Sequence, residues 1–153
     1  MKLKVLLLED TPEHQAVVAR CAEQHQVELQ TVETEADFET ALANALSDPM
    51  DVPDMFLLDL GIDGETDKGL QILRKLRSLT KIRHLPIVIF SQANLDDIIY
   101  ESYCSGANSY IHKSIAEKKF EERVSRLFEV WSKDTKIVDA KVAIEINEAR
   151  SGD

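Results

Sequence analysis

Acidic side chains follow two short apolar runs of the sequence, and a lysine follows a third. Glu9 and Asp10 come directly after LKVLLL, and Asp59 ends the run MFLLD. Ser91 ends the run IVIFS, and Lys113 follows NSYIH. Crowded carboxylates favour a hard cation such as Mg²⁺, which prefers oxygen ligands. Beside such an ion a lysine attracts a phosphoryl group, an aspartate can attack it, and a serine can donate a hydrogen bond to it. The five side chains are therefore of the kinds found at a phosphoryl-transfer site, provided that the fold brings them together.

The elements that must position these side chains alternate along the chain. Five short runs predict strands, at residues 3–8, 27–33, 55–60, 85–91 and 108–113, and the second run is more polar than the buried-strand pattern of the first. Segments with helical spacing follow them, at residues 11–25, 34–48, 68–80, 94–107 and 116–133. Five strand–helix pairs predict an α/β fold, a doubly wound, five-stranded parallel sheet in the order 2-1-3-4-5. Ligands of such sheets bind at the carboxyl ends of the strands, so all five side chains are expected at one rim.

The end of the sequence has a different pattern. Apolar residues occupy every second position of residues 141–146, which is the period of a half-exposed strand. We therefore predict one domain at residues 1–132 and a C-terminal extension at residues 133–153, forming a strand or dimerisation arm with a frayed end. Trp131 and the apolar side of this extension are a candidate self-association surface. A tail that folds back on its own domain is the alternative.

The acidic composition excludes two classes of partner. The chain has 28 Asp and Glu against 18 Lys and Arg, a formal net charge of -10. Such a chain is unsuited to a nucleic-acid backbone or an anionic membrane surface, because both bind through Lys and Arg. The N-terminus has four consecutive apolar residues before the first acid, too few for a signal peptide or a membrane span. We therefore predict a cytoplasmic protein that binds neither nucleic acid nor membranes.

Each of these side chains also has an ordinary explanation when it is taken alone. Asp59 could simply start a turn, and Lys113 could be one more surface lysine. Their occurrence together at the ends of adjacent predicted strands favours a site. The histidines have no ligand spacing and are assigned no metal or catalytic role: His14, His25, His84 and His112.

The motifs at the rim resemble those of the receiver domains of two-component response regulators. LLLEDTPEH, FLLDLG, IVIFS and SYIHK carry the resemblance, which covers about residues 3–132. It implies that Asp59 is the phosphoacceptor for a sensor histidine kinase. It also implies Mg²⁺ as the cofactor, held by Glu9, Asp10, Asp59 and the backbone carbonyl of Gly61.

The same resemblance implies a switch. Lys113 and Ser91 would contact the phosphoryl group, and Tyr110, three residues before the lysine, would report its arrival. The face built from the fourth helix, fifth strand and fifth helix would then change its preference for a downstream protein target. The expected protein is a single-domain response regulator of a phosphorelay. It is not an enzyme, because it catalyses only its own phosphoryl transfer and dephosphorylation.

A narrower resemblance concerns NLDDIIYESYCSGANSYIHKS and, near the end of the last predicted helix, FEVW. These stretches look like the stand-alone regulators that partner bacterial phytochrome kinases, chiefly in cyanobacteria. The resemblance implies a phytochrome-type kinase as partner. Since those regulators commonly dimerise, it also implies a homodimer through the last helix and the tail.

Two departures from the family pattern keep an alternative open. The residue after Ser91 is normally small but is Gln92 here, and the loop GIDGETDKG, at residues 61–69, lacks the usual proline and is longer. The alternative is a pseudo-receiver that is not phosphorylated and acts as a constitutive protein-interaction module. Enzymes of similar architecture fit poorly. A flavin phosphate would meet the acids after the first strand, and Gly61 stands where a haloacid-dehalogenase-type phosphatase needs a second aspartate.

Overall fold

Each of the five runs predicted to be strands forms a strand of one sheet. The computed structural model describes residues 2–61, 66–114 and 116–152. The strands are β1 (Lys4–Leu8), β2 (Glu28–Val32), β3 (Met55–Asp59), β4 (Ile87–Ser91) and β5 (Ser109–His112). Neighbouring strands are parallel and lie in the order β2-β1-β3-β4-β5, which confirms the predicted sheet. Part of the loop predicted to be unusually long, at residues 62–65, lies outside the described residues.

Helices cover both faces of the sheet. They are α1 (Pro12–Gln24), α2 (Glu35–Leu46), α3 (Thr66–Ser78), α4 (Asp96–Cys104), α5 (Glu117–Glu129) and α6 (Ala140–Ser151). One core cluster joins α1 and α5 to the sheet, and a second joins α2 and α3 to its other face. Burial from both sides explains why every residue of β3 and β4 is buried and why these strands are continuously apolar. None of the helices in the described part of the chain is long and apolar enough to cross a membrane.

Local sequence determines where several helices begin and end. The Thr34 side chain accepts a hydrogen bond from the backbone N–H of Asp37 at 3.1 Å, which caps α2. Gly106 follows the end of α4 with φ of 111°, a conformation that favours glycine. A Cβ atom at this position would lie 2.6 Å from Cγ of Arg77. The chain therefore turns into β5 at this glycine.

One side of α5 faces the core. Its buried members are Phe120, Val124, Leu127 and Phe128, and Trp131 packs against the same cluster from a π-helical turn, Val130–Asp134. The ring of Phe120 meets that of Phe90 on β4 edge to face, with centroids 5.4 Å apart. This contact anchors the start of α5 beneath the rim of the sheet.

The prediction of a strand in the C-terminal extension is wrong. The extension forms α6, whose first turn is capped because Asp139 Oδ1 accepts from the N–H of Val142 at 2.9 Å. The larger apolar residues occupy every second position, which suggested a strand. The buried face of the helix consists instead of small residues, Ala140 and Ala143, which lie three residues apart. Alanine is the strongest helix former, and its short side chain lets a helix lie close to its support.

The extension folds back on its own domain, as the alternative interpretation held. Ala140 joins the core cluster that includes α2 and α3, and Ile137 packs against it. The backbone carbonyl of Val138 lies 2.7 Å from Nε2 of His84, in the connection between α3 and β4. The division at residue 132 stays a prediction, but the segment after it is packed and helical.

Candidate functional site

The carboxyl ends of the strands bring the five predicted side chains together. Asp59 and Ser91 are the last residues of β3 and β4, and Lys113 follows β5 directly. Asp59 pairs in register with Phe90, so neighbouring strands end at nearly the same level. A cleft of about 550 Å³ opens above them, lined by Asp10, Thr11, Glu13, His14, Asp59, Gly61, Ser91, Gln92, Ala93 and Lys113. The parallel topology thus creates the predicted rim.

Three carboxylates crowd one side of this cleft. Glu9, Asp10 and Asp59 each offer an oxygen atom, and these atoms all lie within 4.8 Å of one another. Glu9 and Asp59 are buried, with 0% and 7% exposure, whereas Asp10 is exposed. Hard divalent cations prefer such an all-oxygen set, and an open edge leaves space for the waters that Mg²⁺ retains. The donor set therefore fits Mg²⁺.

Glu9 is held rigidly beneath the cleft. Its backbone N–H donates to the carbonyl of Val32 on β2 at 3.0 Å, and its own carbonyl accepts from Nε2 of Gln15 at 2.7 Å. Its carboxylate accepts from the N–H of Thr11 at 3.2 Å and from the ammonium of Lys113. A buried carboxylate requires such partners, because desolvation of an unpaired charge is costly.

Lys113 places a positive charge between two buried carboxylates. Its side chain is 3% exposed, donates to Glu9, and lies with Nζ 3.5 Å from Oδ1 of Asp59. Its backbone N–H donates to the carbonyl of Ser91 at 2.7 Å, which ties the end of β5 to that of β4. The lysine is thus buried because it is paired, and its charge faces Asp59.

The environment makes ionisation of Asp59 unfavourable. Burial raises the pKa of Asp59 to about 6, and the nearby carboxylate of Glu9 adds to this effect. The ammonium of Lys113 and the N–H of Gly61, 3.2 Å from Oδ1, act in the opposite direction without overcoming burial. At neutral pH Asp59 is ionised, but its charge is only partly compensated. A cation bound in the cleft would relieve this cost.

Ser91 and Tyr110 share one backbone partner in the loop after β4. The hydroxyl of Ser91 accepts from the N–H of Ala93 at 3.0 Å, and the hydroxyl of Tyr110 donates to the carbonyl of Ala93 at 2.8 Å. Ser91 is 5% exposed and Tyr110 is half-buried. The two predicted switch residues are therefore linked through Ala93.

Among the cleft residues that were not predicted to belong to the site, His14 makes a contact with Lys113. His14, in the first turn of α1, has Nδ1 3.2 Å from Nζ of Lys113 and 3.6 Å from Oε1 of Glu9. Its ring also meets that of Phe120 edge to face, with centroids 5.7 Å apart. The only sequence signal is its position four residues after Asp10, one helical turn from the rim. The metal-binding role of the Gly61 carbonyl stays a prediction, although Gly61 lines the cleft.

The profile of the response regulator receiver domain matches residues 5–125 of this sequence. The chain belongs to the response regulator receiver family. Receiver domains act in two-component signalling as phosphoacceptors that are partnered by histidine kinases, and they are generally not enzymes. The family match accords with the fold and with the arrangement of the three carboxylates and the lysine.

Individual relatives of this receiver domain are distant. The chemotaxis protein CheY of Pseudomonas aeruginosa is 28% identical over 76 residues, which is 50% of this chain and 60% of the relative. Across the curated relatives that it matches, the chain spans between 50% and 60% of their length.

Solved structures share the receiver fold over nearly the whole chain. The phosphorylated cyanobacterial phytochrome response regulator RcpA has a TM-score of 0.76 at 23% identity, covering 90% of this chain and 99% of its own. The Mn²⁺-bound form of response regulator Rcp1 has a TM-score of 0.79 at 20% identity, covering 89% and 99%. At these identities the likeness establishes the fold.

Proposed function

We propose that this receiver domain accepts a phosphoryl group on Asp59 from a histidine kinase, with the assistance of Mg²⁺. One observation carries the proposal: a buried aspartate ends the central strand between two further carboxylates and the ammonium of Lys113. An isolated buried aspartate would only destabilise the folded state, whereas each group next to Asp59 could take part in phosphoryl transfer.

The metal would be held by Asp10, Asp59 and the backbone carbonyl of Gly61, with Glu9 completing the acidic set. When bound, Mg²⁺ supplies positive charge for the oxygen atoms of the transferred group. Asp59 faces the open cleft, so its carboxylate oxygen can form the new O–P bond. The P–N bond of the kinase phosphohistidine breaks at the same time, and its electron pair leaves with the imidazole. Lys113 compensates the charge that arrives.

The signal would leave the site through the loop after β4. In the structure the Ser91 hydroxyl accepts a hydrogen bond from the N–H of Ala93, and the Ala93 carbonyl accepts one from the hydroxyl of Tyr110. A phosphoryl oxygen on Asp59 would attract the Ser91 hydroxyl, and this attraction would compete with its bond to Ala93. Movement of Ala93 would then change the position of Tyr110. Tyr110 lies on the edge strand beside α4, so its displacement changes the face formed by α4, β5 and α5. Phosphorylation would thus bias a two-state equilibrium toward the form that binds a downstream protein.

The kinase partner is proposed to be of the phytochrome type. Structures with the same fold include a cyanobacterial phytochrome response regulator and a response regulator in red light signalling of R. palustris. Phosphotransfer from a purified phytochrome kinase, compared with that from an unrelated histidine kinase, tests this partnership. Equal transfer rates from both kinases would contradict it.

A small phosphodonor tests the phosphoacceptor role without knowledge of the kinase. We expect acetyl phosphate with Mg²⁺ to add one phosphoryl group, detected by intact-protein mass spectrometry, and EDTA to abolish the addition. Asp59→Asn should not be modified. The matched control is Asp54→Asn, which changes a half-buried aspartate that accepts from the N–H of Lys4 outside the site. Modification of Asp59→Asn at the wild-type rate would contradict the assignment.

A pseudo-receiver is the second candidate, and Gln92 is the observation that favours it. The side chain lines the cleft beside Ser91, where it could restrict access to Asp59. In that case neither acetyl phosphate nor a kinase would modify the wild type, while Gln92→Ala would restore modification. Rapid modification of the wild type would eliminate this candidate.

A homodimer through the last helix and the tail stays a prediction. Apolar side chains that remain exposed on this part of the chain support it: Val130 at 46%, Val138 at 46%, Val142 at 41% and Ile146 at 39%. If they form an interface, Val142→Lys combined with Ile146→Lys should convert a dimer into a monomer in light scattering. Both positions are exposed, so these changes spare the buried residues of α6, Ala140 and Ala143. An unchanged size would contradict the prediction.

A further inference from the structure

We propose that His14 is a positioning residue for Lys113: its ring accepts a hydrogen bond from the ammonium and holds it beside Asp59. The inference rests on the proposed function, because its consequence is the rate at which Asp59 takes up a phosphoryl group. His14 lines the cleft, but in the described part of the chain its hydrogen bond is to Lys113 and not to Asp59. It acts through Lys113.

The hydrogen bonds of the ammonium carry the argument. Lys113 has three N–H donors, and Glu9 and His14 each take one, the latter at 3.2 Å. Two acceptors in different directions set the rotation of the terminal amine. Asp59 Oδ1, 3.5 Å from Nζ, is beyond a good hydrogen bond but close enough to attract the charge.

The burial of Lys113 makes the second acceptor necessary. Its side chain is only 3% exposed, so water is not a substitute partner. In the described part of the chain, every buried side-chain nitrogen and oxygen atom has a hydrogen-bond partner. Without His14 the ammonium would keep Glu9 as its one close acceptor, and it would be free to turn away from Asp59 about that bond.

The ring of His14 is built into this position. Phe120, at the start of α5, meets it edge to face at 5.7 Å, and α1 holds its backbone. A neutral ring with its proton on Nε2 presents Nδ1 as an acceptor. Packing on Phe120 requires only an aromatic ring, whereas the contact with Lys113 requires the nitrogen.

Two substitutions separate these roles. His14→Phe keeps a ring against Phe120 but removes the acceptor, and His14→Asn removes the ring but returns an acceptor oxygen close to the position of Nδ1. Loss of one hydrogen bond to a charged group corresponds to about a tenfold change in rate. We expect His14→Phe to slow phosphorylation by acetyl phosphate about tenfold, and His14→Asn to stay within about threefold of the wild type.

The matched control is His25→Phe. His25 lies at the other end of α1, ~16 Å along the helix, and its Nε2 is 2.7 Å from Oγ of Ser125 on α5. The control therefore removes a similar contact between the same two helices without touching Lys113. Mg²⁺ affinity and the urea unfolding midpoint are measured for every variant. If His14→Phe does not fold, His14→Leu replaces it as the variant that lacks an acceptor.

The outcomes separate the inference from the proposed function. Slow phosphorylation confined to the variant that lacks an acceptor, with rescue by Asn, supports a positioning role for His14. Wild-type rates in His14→Phe, equal slowing in His25→Phe, or failure of Asn to rescue would each overturn it while leaving the function intact. A wild-type protein that takes up no phosphoryl group would overturn the proposed function, and this inference with it.

Discussion

Replacement of Asp59 by asparagine is expected to stabilise the protein at neutral pH. Burial raises the pKa of Asp59 from an ordinary 3.8 to about 6, so the folded state opposes its negative charge. The difference is about two pKa units, and at 1.36 kcal/mol per unit it amounts to about 3 kcal/mol. Asparagine resembles the protonated form of the side chain and removes this cost. Asp59→Asn should therefore increase the free energy of unfolding by up to about 3 kcal/mol above pH 7.

The pH dependence identifies the cause. Because the pKa is higher in the folded state, that state binds more protons between pH ~4 and ~6, and wild-type stability from this group falls as pH rises through that window. Below pH ~4 Asp59 is protonated in both states, so the gain from Asp59→Asn should vanish. The assay is urea unfolding, followed by circular dichroism in EDTA, at pH 3.5, 5 and 7.5. The control, Asp10→Asn, changes an exposed carboxylate and should alter stability by less than about 1 kcal/mol.

Addition of Mg²⁺ gives a second measurement of the free-energy cost of the Asp59 charge in the folded state. The ion should stabilise the wild type at pH 7.5 by compensating the carboxylates, and it should stabilise Asp59→Asn much less. A variant that is less stable than the wild type at pH 7.5 would refute the reasoning. So would a gain in stability that is equal at pH 3.5 and pH 7.5, since protonation of Asp59 could not then be its source.

Three further predictions concern single positions. Gln92→Ala should shorten the lifetime of phosphorylated Asp59 by roughly fivefold, because a smaller side chain beside the cleft admits water; an unchanged decay in intact-protein mass spectrometry would contradict this. Gly106→Ala should lower the free energy of unfolding by about 2 kcal/mol, from its φ of 111° and the 2.6 Å approach to Arg77, whereas a neutral result in urea unfolding would show that the turn relaxes. Thr34→Ala should cost about 1 kcal/mol by removal of the α2 cap, and Thr34→Ser, which keeps the hydroxyl, should restore most of it in the same assay.

The site could be predicted from the sequence because it lies at the ends of strands. In a parallel sheet the carboxyl ends converge, so the residues after each apolar run give the composition of the rim without knowledge of any distance. Asp59, Ser91 and Lys113 were found in this way, and the structure brings them together. What the strand ends do not reveal is burial. A lysine is ordinarily a surface residue, and Lys113 is buried because groups from other parts of the chain pair with it, above all Glu9, which follows β1.

The features that were missed depend on helices. His14 is one polar residue in the first turn of an amphipathic helix, and only the packing of α1 against α5 turns it toward Lys113. The tail was predicted as a strand because its larger apolar residues alternate. Ala140 and Ala143 determine its packing instead, and small residues contribute little to a hydrophobic pattern. The cap at Asp139 was the available sequence signal for a helix.

The central claim is that this receiver domain is a working phosphorylation switch. The most direct test is amide NMR during addition of Mg²⁺ and then of beryllofluoride, which stands in for the phosphoryl group. The account predicts shifts at Asp10, Asp59 and Ser91 that spread to Tyr110 and α4 and are absent from Asp59→Asn. Shifts on addition of Mg²⁺ that are followed by no further shifts on addition of beryllofluoride would contradict it. Shifts with beryllofluoride that stop at the rim without reaching Tyr110 would also contradict it.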